Sequence, residues 1–242
     1  MTKKEPGAAS PPVVSVIMGT FKRAGVVGRA IESVLAQDFS EWELLVIGDC
    51  TPDNTSEVVA SYKDDRIRFY NLPYRIPDTG SSAKNFGIRN CARGRYISYL
   101  DDDDRYRPTF LSTMIGYLEK HPEARIAYCR SMYRDRRTGR RLWGNPFQRW
   151  MHGYSREKLQ RYNFINVNGV VHRKSLLDEV GYWKSGFYFN DYELWLRISR
   201  KYDFHYVNKV LVETFVDEPP LLVRMFTKGW QILRHGRRTP LS

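Results

Sequence analysis

Apolar positions in the first half of the chain recur with two alternating periods. Val13–Met18 is a compact run rich in β-branched residues, and a short run apolar on both faces predicts a strand inside a parallel sheet. Across residues 26–37, Val27, Ala30, Ile31, Val34 and Leu35 fall at helical spacing, and Glu43–Ile47 returns to the short strand pattern. The same alternation predicts a helix over Ser56–Tyr62, a strand over Ile67–Tyr70, a helix over Ala83–Ala92 and a strand over Tyr96–Leu100. Elements that alternate in this way predict an α/β fold with a Rossmann-like, mostly parallel central sheet flanked by helices. In such a sheet, ligands bind at the carboxyl ends of the strands.

Beyond residue 104 the rhythm breaks. Pro108–Lys120 reads as a helix, Arg125–Cys129 as a strand, residues 131–160 as an irregular basic and aromatic insert, and residues 164–173 as a strand. A helix over Lys174–Val180 follows, and Asp191–Arg200 is amphipathic, with Leu194, Leu196 and Ile198 among polar residues. The expected organisation is a flexible tail (1–12), a Rossmann-like half (13–104), a mixed half of the same domain that closes over it (105–218), and a basic amphipathic helix with a tail (219–242). In that last segment Leu222, Met225, Phe226, Trp230 and Leu233 fall toward one side, and Arg224, Lys228 and Arg234 lie off it. Packing against the core of the domain or a second subunit is its expected fate, ahead of lying on an anionic membrane.

With 242 residues, 42% of them hydrophobic and 27% charged, the chain can bury a sizeable core and is not mainly disordered. No apolar run approaches the ~20 residues of a spanning helix, and residues 1–12 lack the apolar stretch of a signal peptide. Three cysteines without paired spacing indicate neither a disulfide framework nor a structural zinc site. A cytoplasmic location is therefore expected, peripheral at most to the inner face of the membrane. The net charge of +12 favours a polyanionic partner such as nucleic acid, an anionic lipid surface or a phosphorylated small molecule. Five arginines fall within Arg134–Arg141, a run that reads as a solvated, flexible hairpin ahead of a phosphate cover or a nucleic-acid site.

The sharpest chemical feature is Asp101–Asp104, four adjacent acids at the end of a predicted buried strand. Crowded carboxylates repel, and a divalent cation with oxygen ligands relieves that repulsion most economically. Mg²⁺ or Mn²⁺ is expected on that ground. Aspartates also cap helices, but the carboxyl end of a parallel strand favours a ligand role for at least two of the four. Asp49 and Asp53 follow the Glu43–Ile47 strand; an Asx turn with a helix cap suffices for Asp53. Asp49 shares the sheet edge with the acidic run and suits a site for a metal plus a nucleoside.

Taken in order, VSVIMGTFKR (14–23), AIESVLAQDFSEWELLVIGDCTPDNT (30–55), TGSSAKNFGIRNCARGRYISYLDDDDRYRP (79–108) and GYWKSGFYFNDYELWLRIS (181–199) resemble the blocks of the family-two, inverting nucleotide-sugar glycosyltransferases of GT-A fold. The resemblance implies that Thr20 begins the nucleotide pocket, Asp49 bonds the base, Lys84 lies near the donor diphosphate and Asp102 meets the ribose. It places Asp101 and Asp103 on the family's Asp-x-Asp signature as metal ligands, and Asp191 at the catalytic base that takes the acceptor proton. Gly48 stands where a first aspartate is usual, and Asn190 where a glutamate is usual. The implied partners are a nucleoside-diphosphate sugar, UDP-type favoured, and a saccharide, lipid-linked or small-molecule hydroxyl acceptor, with no nucleic acid. A homodimer and a peripheral anionic membrane contact are the further partners left open, as is a third metal contact from His205 or Glu213.

Two rivals compete with this reading. A weakly active or inactive GT-A module that binds a polyanion or protein is favoured by Gly48 and Asn190 and opposed by the joint presence of Asp103 and Asp191. A sugar-phosphate nucleotidyltransferase would need a glycine-rich signature loop near the first strand, which is absent. P-loop, dinucleotide-binding, zinc-protease and nucleophile-elbow motifs are absent too.

Overall fold

A computed structural model describes residues 11–142 and 153–217. Strands β1 (Val14–Thr20), β2 (Trp42–Gly48), β3 (Ile67–Asn71) and β4 (Tyr96–Tyr99) alternate with helices α1 (Val27–Leu35), α2 (Thr55–Ala60) and α3 (Ser81–Phe86), the last continued by a π turn at Gly87–Cys91. The second part holds β5 (Arg105–Tyr106), α4 (Phe110–Lys120), β6 (Ile126–Asp135), α5 (Arg156–Arg161), a short turn of helix at Val167–Gly169, β7 (Val170–Arg173), α6 (Leu176–Val180), α7 (Asn190–Ser199) and β8 (His205–Val216).

All these strands join one sheet in the order β3-β2-β1-β4-β7-β6-β8-β5. β3, β2, β1 and β4 are parallel, β7 is antiparallel to β4 and β6, and β8 runs parallel to β6. The chain moves outward from β1 through β2 to β3, then returns to lay β4 on the other side of β1. That reversal is a topological switch point, and it opens a crevice beyond the carboxyl ends of β1 and β4.

β1 and β2 are buried almost throughout because helices cover both sheet faces. Val14, Val16 and Met18 pack with α1 and α4 on one side, while Ile17, Leu45 and Ile47 pack with Ile88, Leu176, Leu194 and Trp195 on the other. Glu43 is the charged exception, wholly buried between the sheet and the Arg93 turn. It accepts from Ser15 Oγ at 2.6 Å, from Arg93 N at 2.6 Å and from Arg93 Nε at 2.9 Å, and Arg68 pairs with it. Burial opposes its ionisation, yet the Ser15 and Arg93 hydrogen bonds and the Arg68 charge hold its carboxyl below the usual range.

Three expectations are corrected. The irregular insert expected over 131–160 begins later, because β6 continues to Asp135 by pairing with β8. β8 itself, and the two-residue β5 antiparallel to it, were not expected. The strand expected over 164–173 shortens to β7, because the Asn166 side chain accepts from Asn168 N at 2.9 Å and turns the preceding segment. The amphipathic helix expected over 219–242 lies outside the described residues, as do residues 1–10 of the expected tail. Among the described residues no helix is long and apolar enough to cross a membrane.

Candidate active site

The crevice at the switch point is a cleft of about 350 Å³ lined by Thr20, Asp49, Asp78, Lys84, Asp101 and Asp102, among others. Thr20 ends β1 and is 4% exposed. Asp49 follows β2. Its Oδ1 accepts from Ile76 N at 3.1 Å, and its Oδ2 lies 3.7 Å from Arg75 Nε. The Arg75 guanidinium in turn stacks 3.9 Å from the centre of the Phe21 ring. Lys84, on α3, sits over Trp183 with its Nζ 3.5 Å from the Thr79 carbonyl.

The four acids after β4 take four different environments. Asp101 is exposed and faces the cleft; its backbone N donates to Asn168 Oδ1 at 2.8 Å, and Asn168 Nδ2 donates back to its carboxylate at 3.1 Å. Burial pushes Asp102 up to about 6, with the Asp103 and Asp101 charges adding to the effect and Thr20 and Arg23 opposing it. Asp103 lies outside the cleft lining and is gripped by Arg136 at 2.9 Å and Arg23 at 3.6 Å. Asp104 points inward, accepting from Phe215 N at 2.8 Å and Asn168 Nδ2 at 2.6 Å, and burial beside Asp101 pushes its carboxyl well up.

Asp191 occupies the first turn of α7. Its Oδ2 accepts from Asn163 Nδ2 at 3.0 Å and its Oδ1 from Tyr192 N at 2.7 Å. Burial raises its carboxyl above the ordinary range, the Asn163 and Tyr192 bonds and Lys84 lower it, and Asp101 raises it further. Lys84 and Asp101 thus lie within electrostatic reach of Asp191, although Asp191 does not line the cleft itself.

Residues 15–184 match the family described as Glycosyl transferase family 2. The chain belongs to that family. Over 217 residues it is 30% identical to an uncharacterised glycosyltransferase, RT0329, of Rickettsia typhi, covering 86% of this chain and 65% of the relative. The chain therefore spans just under two thirds of that relative. Two solved structures share the fold: S. aureus TarS 1–349 in complex with UDP-GlcNAc, at TM-score 0.68 and 18% identity over 85% of this chain and 59% of that one, and the Pyrobaculum calidifontis mannosyltransferase PcManGT in complex with GDP-Man and Mn²⁺, at TM-score 0.70 and 15% identity over 96% and 67%. The GT-A-type α/β fold expected from the sequence is the one found, with its parallel half joined to a mixed half.

In this family-2 chain the structure brings Thr20, Asp49, Lys84, Asp101 and Asp102 into one cleft and leaves Asp103 and Asp191 at its margins. His205 and Glu213 do not extend the acidic group: His205 Nδ1 meets Tyr117 OH at 3.1 Å, and Glu213 is held by Arg134 at 2.8 Å. Among the described residues no three His, Cys, Asp or Glu side chains form a group able to hold a metal ion. The five-arginine run does form a hairpin, closed by the Arg134–Arg141 bridge, but Arg134 and Arg136 are anchored rather than free. Asn163 and Asn168, which position Asp191 and Asp101, escaped the sequence reading. Their only signal there is the presence of amides in the otherwise apolar stretch FINVNGVV.

Proposed function

We propose that the chain transfers a sugar from a nucleoside-diphosphate sugar to a hydroxyl acceptor, with inversion and with Mg²⁺ or Mn²⁺. The observation that carries the reading is the convergence, at one switch-point cleft, of a base-side acid (Asp49), a cation (Lys84) and two members of the acidic run (Asp101 and Asp102), with Asp191 within electrostatic reach. Asp191 is the base: burial leaves its carboxyl a stronger proton acceptor than an exposed aspartate, and Asn163 fixes its orientation toward an acceptor hydroxyl. In-line attack from that side inverts the anomeric centre.

The donor set suits a hard divalent cation, since it offers carboxylate oxygens crowded at one strand end, where the Asp101 and Asp103 charges add to burial in raising the proton affinity of Asp102 and Asp104. Asp101 and Asp103 would hold the ion, and diphosphate oxygens would complete its shell. When bound, such an ion stabilises the charge that develops on the leaving diphosphate. Lys84, in the lining of the same cleft, would offset that charge with its ammonium.

A UDP-type donor is favoured by Asp49. Its Oδ1 is already used by Ile76 N, so one oxygen remains for the base, next to the Arg75 donor. Uracil offers a single N–H between two carbonyls, which matches one acceptor beside one cation, whereas guanine offers two adjacent donors. The saccharide, lipid-linked or small-molecule acceptor, a homodimer and a membrane contact through residues 219–242 belong to the same proposal. Sedimentation with anionic liposomes, with and without that segment, tests the membrane contact.

Calorimetry with UDP, GDP and dTDP, each with and without Mn²⁺, tests the donor assignment. Metal-dependent binding with UDP ahead is expected, and at 100 times Kd the ligand should stabilise the fold by about 2.7 kcal/mol. Binding of none of the three would overturn the assignment.

A further inference from the structure

Segment 78–85, on the donor side of the cleft, is joined to segment 183–190, which leads into the helix bearing Asp191, by side-chain hydrogen bonds. Ser185 Oγ donates to Asp78 Oδ2 at 2.8 Å, Ser81 Oγ donates to the Lys184 carbonyl at 3.1 Å, and Asn85 exchanges hydrogen bonds with the Trp183 backbone at 2.8 and 3.1 Å. Near the helix end of this seam lies Asn190, 7% exposed. Its Nδ2 donates to the Thr79 carbonyl at 3.0 Å and to Ser81 Oγ at 2.9 Å.

Thr79 is the unusual member. It is β-branched yet holds φ at 59°, followed by Gly80 at 81°. Left-handed backbone at a β-branched residue is strained and persists only where its surroundings hold it. The Thr79 carbonyl receives the Asn190 amide, and the Lys84 ammonium lies 3.5 Å away. A single carbonyl thus links the residue next to Asp191 with the cation of the donor cleft.

We propose that Asn190 is a positioning residue whose amide pins the left-handed Thr79 turn, so that the donor-cleft loop carrying Lys84 and the helix carrying Asp191 are set in one geometry. The role requires a donor. An ionised acid at position 190 would present only acceptor oxygens to the Thr79 carbonyl, so the amide is the side chain that this turn accepts. The family resemblance expects glutamate here, and the Thr79 turn gives the physical reason for the departure. The proposal rests on the donor-cleft and Asp191 assignments above.

Two measurements test it. The first, amide hydrogen exchange on the ligand-free protein, is independent of those assignments. Asn190→Ala and the near-isosteric Asn190→Asp should both lose protection over residues 79–84, while the core strands β1 and β2 keep theirs. Unchanged exchange at 79–84 would overturn the proposal whatever the ligand. The second is calorimetry with UDP, GDP and dTDP plus Mn²⁺, carrying forward the nucleotide that wild type binds most tightly. Asn190→Ala should weaken it about tenfold, the scale expected when the hydrogen bonds of one buried amide are lost. Glycine adopts positive φ without strain, so Asn190→Ala/Thr79→Gly should recover most of that affinity relative to Thr79→Gly alone. A general packing role for Asn190 would give no such recovery, and that result counts against the latch. If wild type binds none of the nucleotides, the donor assignment fails while the exchange experiment still decides the latch.

Discussion

Arg136, from the hairpin after β6, places its guanidinium 2.9 Å from the Asp103 carboxylate, the acid assigned by resemblance to the metal. The same side chain donates to the Phe215 carbonyl at 2.6 Å and pairs with Asp217 at 2.9 Å, so it is held from three sides. Arginine and a divalent cation compete for one carboxylate. Removing Arg136 should therefore tighten Mn²⁺ binding in the absence of nucleotide, by severalfold in a titration followed by electron paramagnetic resonance, and Asp103→Ala should weaken it. Weaker Mn²⁺ binding by Arg136→Ala would show that the arginine supports the ion instead of replacing it.

Asp191→Asn preserves shape and removes the proton acceptor proposed above. A positioned general base contributes roughly 10²–10⁴-fold to rate, so kcat should fall within that range while the calorimetric affinity for the nucleotide stays near wild type. A parallel loss of affinity would place Asp191 in the donor pocket.

The pH dependence of kcat follows from the same residue. Burial raises the Asp191 carboxyl above the ordinary aspartate value of 3.8, and a protonated carboxyl accepts no proton. Activity should be full above the raised pKa and be lost as pH falls through it, with an acid limb above the usual carboxylate range. Asn163→Ala removes the hydrogen bond that opposes the shift, so its limb should move to still higher pH. A limb that stays in place in that variant would contradict the assignment.

Glu43 ties β1, β2 and the Arg93 turn together from inside the core. Glu43→Gln leaves Arg68 and Arg93, whose side chains are 29% and 57% exposed, facing an amide; because water reaches both guanidiniums, the cost is that of weakened charge-assisted hydrogen bonds, roughly 1.5–3 kcal/mol. The urea midpoint should drop accordingly. The Glu43 carboxyl is held below the ordinary glutamate value of 4.5, so its contribution is present above that value and lost as pH falls through the folded one. The destabilisation of Glu43→Gln relative to wild type should therefore shrink on acidification.

Local periodicity carried the first half of the molecule. Strands from Val14 to Tyr99 alternate with helices that begin within a few residues of their expected positions, because each strand is buried on both faces and each helix on one, and both patterns are written in neighbouring residues. That alternation places Asp49 and the acidic run at strand ends on one edge of the sheet, and the family resemblance adds Thr20.

The sequence by itself thus determined the class of fold, the family and the edge of the sheet where the chemistry lies. Only the tertiary structure divided the labour among Asp101, Asp102, Asp103 and Asp104, which are identical neighbours in sequence. Asp104 turns inward to Phe215 N, 111 residues away, and to Asn168, 64 residues away; Asp103 turns to Arg136; Asp101 is left facing the cleft. β8 belongs to the same category, since its pairing with β6 shifts register around Arg130 and so blurs the alternation that would have announced it. Short-range pattern records which face of an element is buried; which partner meets a polar side chain depends on segments that the fold alone brings together.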